Sequence, residues 1–574
     1  MPVAFAACLN RAYGSAANLR STRFSGAQLK VIFKSNIPSL VLPLAASVYF
    51  VVACNFAFWK RFVIATGGLG LSQLPLQAGM FCLIVSFFYA CLALLNFRHV
   101  LKPVLILLFI VTSAASYFMN QYGTAIDWSM IQNVVQSDTR EGLELLTWKM
   151  IGTVAFLGVL PAVFLGYSNI DYPPIKRHLA QLGGSIIVAL VLATALLFLL
   201  YKSLAPTLRE HRELRFFLTP TNYIQALEGY FKRKWTAPVF VSPLGMDARR
   251  GALWTGNSRR TATIIIVGET ARAMNFSLNG YAEQTNPLLS KQSGLVNFTQ
   301  VQSCGTATAV SVPCVFSALG RRQYSEMKAQ SQEGLLDIFQ HADFEVDWFD
   351  NNSGCKSVCN RIHYVDLSVP TASDPLCNAE DCYDEKLLRE LPQLIKHATK
   401  DLVIVLHQKG SHGPSYWKRY PPSFAKFGPV CQTNELASCS TAAITAAYDN
   451  TILYTDFVIS KAIAILEHSN AEDQVDTALL YFSDHGESLG EKNMYLHGAP
   501  YIISPPEQRH VPFMLWLSES FRNRFHIDAP CLAARRNQEF SHDNVFHSML
   551  GMLEINTAVY NPKLDIFHAC KDGR

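Results

Sequence analysis

Residues 476–488 read DTALLYFSDHGES. An apolar run of strand length ends at an Asp-His pair. Two other stretches share this grammar: TATIIIVGE at 261–269 ends at an acid, and DLVIVLHQKGSHG at 401–413 ends in histidines. Between them lie helical patterns, EKLLRELPQLIKHA at 385–398 and TAAYDNTILYTDFVISKAIAILEH at 445–468. Strands alternating with helices predict an α/β domain with a mostly parallel sheet. Ligands of such sheets bind beyond the carboxyl ends of the strands, where all three polar clusters fall.

Those ends offer Glu269, His407, His412, Asp484 and His485, with His497 close behind. One acid or histidine at a strand end is ordinary surface or a helix cap. Six at three strand ends point to a metal site, and an oxygen/nitrogen donor set suits Zn2+. Asp484 and His485 are adjacent, so they converge on one ion only from a loop just past the strand. The stretch SCGTATAVSVPCVFSAL at 303–319 offers hydroxyls at Ser303, Thr306, Thr308 and Ser311. A hydroxyl becomes a nucleophile when a cation lowers its pKa, but spacing does not choose among the four.

Outward from this domain the character changes. The chain has 574 residues, half of them hydrophobic and only 16% charged. Five stretches, at 35–59, 62–97, 103–126, 150–170 and 179–201, hold no Asp, Glu, Lys or Arg over a membrane-spanning length. Each is long enough to span a bilayer, and five such runs do not fit inside one soluble core. The predicted organisation is a cytoplasmic segment at 1–36, a five-span membrane domain at 37–201, a bridging interfacial segment at 202–259 and a catalytic domain at 260–574. Arg11, Arg20, Arg23, Lys30 and Lys34 precede the first span, Arg98 and Lys102 follow the second, and Lys176 and Arg177 precede the fifth. The positive-inside rule puts these segments in the cytoplasm and everything after residue 201 outside. Lys60 and Arg61 oppose this and are outnumbered. The stretch at 208–235, LREHRELRFFLTPTNYIQALEGYFKRKW, mixes basic and aromatic residues as an interfacial helix does. The loop at 120–149 is polar and reads as a partly helical connector at the membrane surface.

Fourteen cysteines support an outer location for the catalytic domain. Eight form close pairs there: Cys304/Cys314, Cys355/Cys359, Cys377/Cys382 and Cys431/Cys439. In an oxidising compartment these read as short-loop disulfides. A zinc-binding Cys cluster fails on spacing. Cys54, Cys82 and Cys91 fall in the spans as apolar filler, and Cys8, Cys531 and Cys570 have no assigned partner. A net charge of +5 without a basic run argues against a nucleic-acid partner.

The motifs VGET at 267–270, CGTATAVSVPC at 304–314, DNNSGCKS at 350–357, HQKGSHGPSY at 407–416, SDHGESLGE at 483–491 and YLHG at 495–498 resemble the lipid A phosphoethanolamine transferases, which include enzymes of polymyxin resistance. The resemblance implies a catalytic domain of alkaline phosphatase/sulfatase type, in the periplasm of a multi-pass bacterial inner-membrane protein. It implies that Glu269, Thr308, Asp484 and His485 hold zinc, with Thr308 also the nucleophile. His412 and His497 would contact the transferred phosphate or a second zinc, one of them as general acid. Asn352 and Lys356 match positions at the substrate phosphate and headgroup. Asn133, Ser137 and Glu141 match the region at the ethanolamine end, which displaces the connector reading of that loop; Ser137 stands where the family often has threonine. His407 and Glu487 would orient ligands. The implied reaction moves phosphoethanolamine from phosphatidylethanolamine to a lipid A phosphate through a phosphothreonine, lowering the negative charge that cationic peptides seek. The rival readings are transfer to a core sugar, a glucan or a protein, a phosphoglycerol transferase or sulfatase-like hydrolase, and a membrane sensor with a structural zinc site.

Overall fold

The computed structural model describes residues 36–136, 139–235, 240–371, 373–378 and 381–571, without the side chains of 139–141. Most of the segment expected in the cytoplasm, with Cys8 and its five basic residues, lies outside the described residues. The chain forms two compact units, Met1–Ile126 with Thr139–Ile224, and Asp127–Asp138 with Gln225–Arg574. The segment expected as a bridge at 202–259 is therefore divided between them, and part of the 120–149 loop belongs to the catalytic unit.

In the first unit four helices are long and apolar enough to cross a membrane: Leu74–Leu94, Leu101–Gln121, Trp148–Tyr167 and Ile175–Glu210. Only 11% of the most apolar window of Ile175–Glu210 is buried, and Ile187, Val188, Val191, Phe198 and Leu199 all face outward. A soluble core helix would hide these residues, whereas lipid accepts them. The first expected span is not one straight helix. Val41–Ala53 and Phe56–Ala65 meet at 65°, so a fifth span exists only if this bent pair crosses as one. Asn55 accounts for the break. Its fully buried amide donates to Phe50 O and Thr219 O, each at 2.8 Å, and its Oδ1 accepts from Thr219 N at 2.8 Å. With no water to compete, these bonds hold the chain at the angle. Lys60 and Arg61, the charges that opposed the topology, lie on the second, shorter arm. The Arg61 guanidinium sits 3.7 Å from the centre of the Phe217 ring and donates to Gly123 O.

The catalytic unit is built on a seven-stranded sheet. Its strands are β1 (Thr261–Gly268), β2 (Leu295–Phe298), β3 (Glu345–Asp350), β4 (His363–Asp366), β5 (Leu402–His407), β6 (Asp476–Ser483) and β7 (Phe513–Leu517). Their order is β2-β7-β6-β1-β5-β3-β4. β6, β1, β5, β3 and β4 are parallel, and β7 runs antiparallel between β6 and β2. β1, β5 and β6 are buried at every residue, as central strands covered on both faces are. Their side chains alternate between two cores. Ile265, Val267, Val403, Val405, Leu480 and Phe482 enter one, while Ile264, Ile266, Ile404, Leu406, Leu479 and Tyr481 enter the other against the helix Thr441–Glu472. The register pairs Val267 with His407, His407 with Asp350, and Gly268 with Ser483, so these strands end together along one edge.

The four expected disulfides all form: Cys304–Cys314, Cys355–Cys359, Cys377–Cys382 and Cys431–Cys439. Cys531, which spacing left without a partner, pairs with Cys570 as a fifth. Cys54, Cys82 and Cys91 are free. Cys54 is buried, but Cys82 and Cys91 are exposed on their helix, so as apolar filler they face outward rather than into a core. The fifth bond joins cysteines 39 residues apart, against 4 for Cys355–Cys359. Loop entropy makes it worth about 4 kcal/mol and the shorter one about 2 kcal/mol. Denaturant unfolding of the catalytic domain should therefore show Cys570→Ser costing more than Cys359→Ser; equal losses would refute the entropic ranking.

Candidate active site

The strand ends deliver the site. Glu269 follows β1, Asp484 and His485 follow β6, and all three are fully buried. Asp484 lies just past its strand, its N–H donating to Gly268 O at 2.9 Å. Its Oδ1 accepts from the N–H of His485 at 2.7 Å and of Thr270 at 3.2 Å. This loop turn lets adjacent Asp484 and His485 face one point. Gly410 closes the floor: with φ at +52°, an added Cβ there would lie 2.6 Å from Glu269 O.

The four candidate hydroxyls separate by partner. Ser303 donates to Gly305 O, Thr306 to Ala499 O and Ser311 to Asp484 O, at 2.6, 2.6 and 2.5 Å. Each is committed to backbone. Thr308 Oγ1 instead donates to the Glu269 carboxylate at 2.9 Å and lies 3.3 Å from His485 Nε2. Thr308 opens the helix Thr308–Val315, whose first N–H groups favour an anion.

The paired cysteines brace loops around these donors and supply no ligand, each sulfur being spent on its bond. Cys304–Cys314 ties the two ends of the segment that carries Thr308, with Cys314 buried in the Thr308–Val315 helix and Cys304 N donating to His542 Nδ1 at 3.1 Å. Cys355–Cys359 closes the turn that holds Lys356. Cys377–Cys382 lies beneath the strand-end loops, where Cys382 O accepts from Asn351 Nδ2 at 2.9 Å. Cys431–Cys439 closes the loop that leads into the Thr441–Glu472 helix, with Cys431 N donating to Ala443 O at 3.0 Å and Cys439 N to Leu436 O at 3.0 Å.

His485 Nδ1 is 2.9 Å from Gly486 O, a pure acceptor, so Nδ1 carries the proton and Nε2 presents a lone pair. Glu269 Oε1 and Asp484 Oδ2 lie 3.4 and 3.3 Å from that Nε2. Both oxygens are buried without a hydrogen-bond partner. Burial, and the charge of Asp484, push the Glu269 carboxyl above its usual range, and burial does the same to Asp484. Three donor atoms, the His485 nitrogen and the two oxygens 3.3–3.4 Å from it, converge, and a bound cation satisfies them all where metal-free burial favours the protonated carboxyls. Ligand atoms of Glu269, His485 and His497 lie within 4.8 Å of one another. The residues thus fit a metal.

His497 is oriented by Glu487. Its Nδ1 is 2.8 Å from Glu487 Oε2, while Glu487 Oε1 accepts from Tyr416 Oη at 2.6 Å. Burial opposes charge on His497, but Glu487 outweighs it and pushes the imidazole up to about 9. Burial and the His497 charge push His485 down to about 4. In the metal-free site the two neighbouring rings, 4.4 Å apart, are thus pushed in opposite directions. His412 lies 5.5 Å from His497, ring to ring, and burial followed by Lys409 and His497 holds it well below the usual histidine range.

Residues 84–235 match the family model described as phosphoethanolamine transferase EptA/EptB, and residues 261–555 match the sulfatase model. The chain is 40% identical over 545 residues to phosphoethanolamine transferase EptA of Escherichia coli strain K12, covering 94% of this chain and 99% of that protein. It is 37% identical over 502 residues to phosphatidylethanolamine transferase Mcr-1 of Escherichia coli, covering 85% and 91%. The solved integral membrane protein lipooligosaccharide phosphoethanolamine transferase A (EptA) from Neisseria meningitidis matches with a TM-score of 0.89 at 34% identity, covering 94% of this chain and all of that one. The chain belongs to the phosphoethanolamine transferase family. It is a multi-pass inner-membrane phosphoethanolamine transferase with a periplasmic catalytic domain of the alkaline phosphatase/sulfatase superfamily.

Other expected site residues of this transferase take positions of their own. Asn352, expected with Lys356 at the substrate phosphate and headgroup, donates from Nδ2 to Glu269 Oε2 at 2.8 Å and Gln408 O at 2.9 Å, and faces His407 Nε2 at 3.2 Å. Its amide holds the Glu269 carboxylate in place. His407 in turn places its Nδ1 2.9 Å from Asp350 Oδ2. Lys356 Nζ donates to Ser353 O and Oγ at 2.8 and 2.9 Å. Asn133, on the helix Trp128–Gln136, lies beside the residue after His497: a Cβ on Gly498 would come within 3.3 Å of its amide. That helix packs on the catalytic unit through Gln132, which donates to Glu326 at 2.9 Å, and Trp128, stacked 3.9 Å from Arg233. Ser137 and the Glu141 side chain lie outside the described residues. Sequence reasoning missed Asp350 and Tyr416, because each acts on a site residue from a distant part of the chain. It missed Arg272 too, which donates to Glu491 and to Glu487 O and so braces the turn between Glu487 and His497.

Proposed function

We propose that this transferase moves phosphoethanolamine from phosphatidylethanolamine to a phosphate of lipid A, by two displacements at Thr308 with Zn2+ as the metal. The observation that carries this reading is the Thr308 hydroxyl bonded to Glu269 beside the converged donors. Glu269, Asp484, His485 and Thr308 would hold the ion, and their oxygen-rich set with one imidazole suits zinc in a catalytic rather than a closed structural site. Zinc, when bound, supplies positive charge that favours the ionised hydroxyl and offsets charge on the phosphoryl oxygens.

Thr308 Oγ1 attacks the donor phosphorus, its proton leaving toward the Glu269 carboxylate. The Oγ–P bond forms as the P–O bond to diacylglycerol breaks. His497, charged through Glu487, protonates the leaving oxygen, while His412 beside it contacts the transferred phosphate. A lipid A phosphate oxygen then attacks the phosphothreonine and its proton passes to the histidine that gave one up; the Oγ–P bond breaks, and Thr308 takes its proton back from Glu269. Lys356 counters charge on the donor phosphate, and Asn133, Ser137 and Glu141 receive the ethanolamine end. His407 and Asn352 orient Glu269. The product carries an added amine, which weakens capture of cationic peptides such as polymyxin. Named relatives support donor and acceptor: EptA and Mcr proteins are phosphoethanolamine and phosphatidylethanolamine transferases, and a 25% identical Escherichia coli protein is a Kdo(2)-lipid A phosphoethanolamine 7''-transferase.

Mass spectrometry of lipid A from cells producing the active chain should show a gain of one phosphoethanolamine unit. Cells producing Thr308→Ala should show none. A gain found instead on core sugar, glucan or protein would reject the acceptor.

A further inference from the structure

A second cluster stands apart from the metal donors. The guanidinium carbons of Arg321 and Arg509 lie 3.7 and 5.4 Å from the centre of one ring, that of Tyr501. Arg322, next in the chain, is exposed, and Arg321, Arg509 and Tyr501 are half-buried. The adjacent carboxylate, Asp543, has its Oδ1 taken by the backbone N–H of Arg321 at 2.7 Å. Arg509 Nε is buried without a hydrogen-bond partner. Two cations held against one neutral ring repel each other, and no side-chain ion pair relieves them among the described residues. Paired guanidinium forks of this kind suit a phosphate.

The cluster is stitched to the nucleophile segment. Tyr501 Oη donates to Ser303 O at 3.0 Å, Arg509 O accepts from Ser303 N at 2.7 Å, and Gly498 N donates to Thr306 O at 2.7 Å. Ser303 is five residues before Thr308, so at most about 17 Å of extended chain separates them. His497 is four residues before Tyr501. The cluster is thus bonded to the segment that leads into Thr308, yet none of its residues belongs to the metal cluster.

We propose that Arg321 and Arg509, on the Tyr501 platform, form a subsite for a phosphate group of a lipid substrate other than the phosphate that reacts at Thr308. This rests on the reading that the acceptor is a phosphorylated glycolipid. Burial lowers the Arg321 pKa from its ordinary value, so a phosphate dianion there gains from a partly dehydrated cation.

The test uses the full-length protein in lipid nanodiscs, with Arg321→Gln, Arg509→Gln and the milder Arg321→Lys, each checked by thermal melting. One arm measures diacylglycerol release from labelled phosphatidylethanolamine without acceptor. The other measures transfer to lipid A carrying two phosphates or one. The expected result is a rise of about tenfold in KM for the bis-phosphorylated acceptor, loss of its advantage over the mono-phosphorylated one, and donor release within about twofold of wild type. A rise confined to the donor arm would place the arginines at the reacting phosphate and overturn the subsite. Folded variants with both arms unchanged, or losing both acceptors equally, overturn the subsite. A wild-type protein that modifies neither lipid A overturns the acceptor reading and the subsite together.

Discussion

Thr308→Ala folds, keeps its disulfides and loses transfer by at least about a thousandfold, the scale of losing a nucleophile. The fold should survive for local reasons. Thr308 is only half-buried and heads a helix, a position alanine accepts. The lost hydrogen bond to Glu269 costs about 1 kcal/mol, and Glu269 Oε2 keeps the Asn352 amide. Nothing nearby replaces the hydroxyl. Ser303, Thr306 and Ser311 all donate to backbone carbonyls, and only Thr308 of the four bonds the Glu269 carboxylate. Incubating wild type with phosphatidylethanolamine alone should leave a phosphoethanolamine adduct on the peptide containing Thr308, which the alanine variant lacks. Thr308→Ser, which restores a hydroxyl at the same atom, should recover part of the activity. An adduct on another residue, or full turnover by the alanine variant, would end the assignment of Thr308 as nucleophile.

The parts of this molecule that sequence makes legible are those set by short-range rules. β1, β5 and β6 are mostly apolar runs that stop at polar residues, so both the strands and the side chains at their ends can be read directly. The four short disulfides, from Cys304–Cys314 to Cys431–Cys439, span ten residues or fewer, close enough for spacing alone to pair them. Cys531 and Cys570 are opaque because only the folded backbone, with Asp528 N bonded to Cys570 O, brings them together. Asn55 looks like one polar residue in an apolar run. Its partner Thr219 lies 164 residues away, so the kink it makes carries no local signal. The same holds for Asp350, Tyr416 and Arg272, whose roles consist of what they touch. Asn352 lies in a readable motif, but its bonds to Glu269 and to Gln408 O, 83 and 56 residues away, are not legible in that motif.

Glu269→Gln should invert the order of stability between the metal-free and metal-loaded enzymes. Without metal, wild type buries two carboxylate oxygens, Glu269 Oε1 and Asp484 Oδ2, that have no hydrogen-bond partner. Uncompensated buried charge costs several kcal/mol. Glutamine removes one charge. Its Oε1 can still accept from Thr308 and Asn352, and its Nε2 can donate to the lone pair on His485 Nε2, which lies 3.4 Å from the oxygen it replaces. The chelator-treated variant should therefore melt above chelator-treated wild type. Adding Zn2+ reverses this. A ligand held at about a thousand times its dissociation constant stabilises by about 4 kcal/mol, and only wild type retains the charged donor that sets that affinity. Metal analysis should find the ion on wild type and little on the variant, with transfer activity following the metal. Asp484→Asn should repeat the pattern, because its free oxygen faces the same His485 nitrogen at 3.3 Å. Were metal-free Glu269→Gln to melt below metal-free wild type, the two carboxylates would not be strained by each other and by burial. The convergence of donors would then be a packing arrangement rather than a cation site.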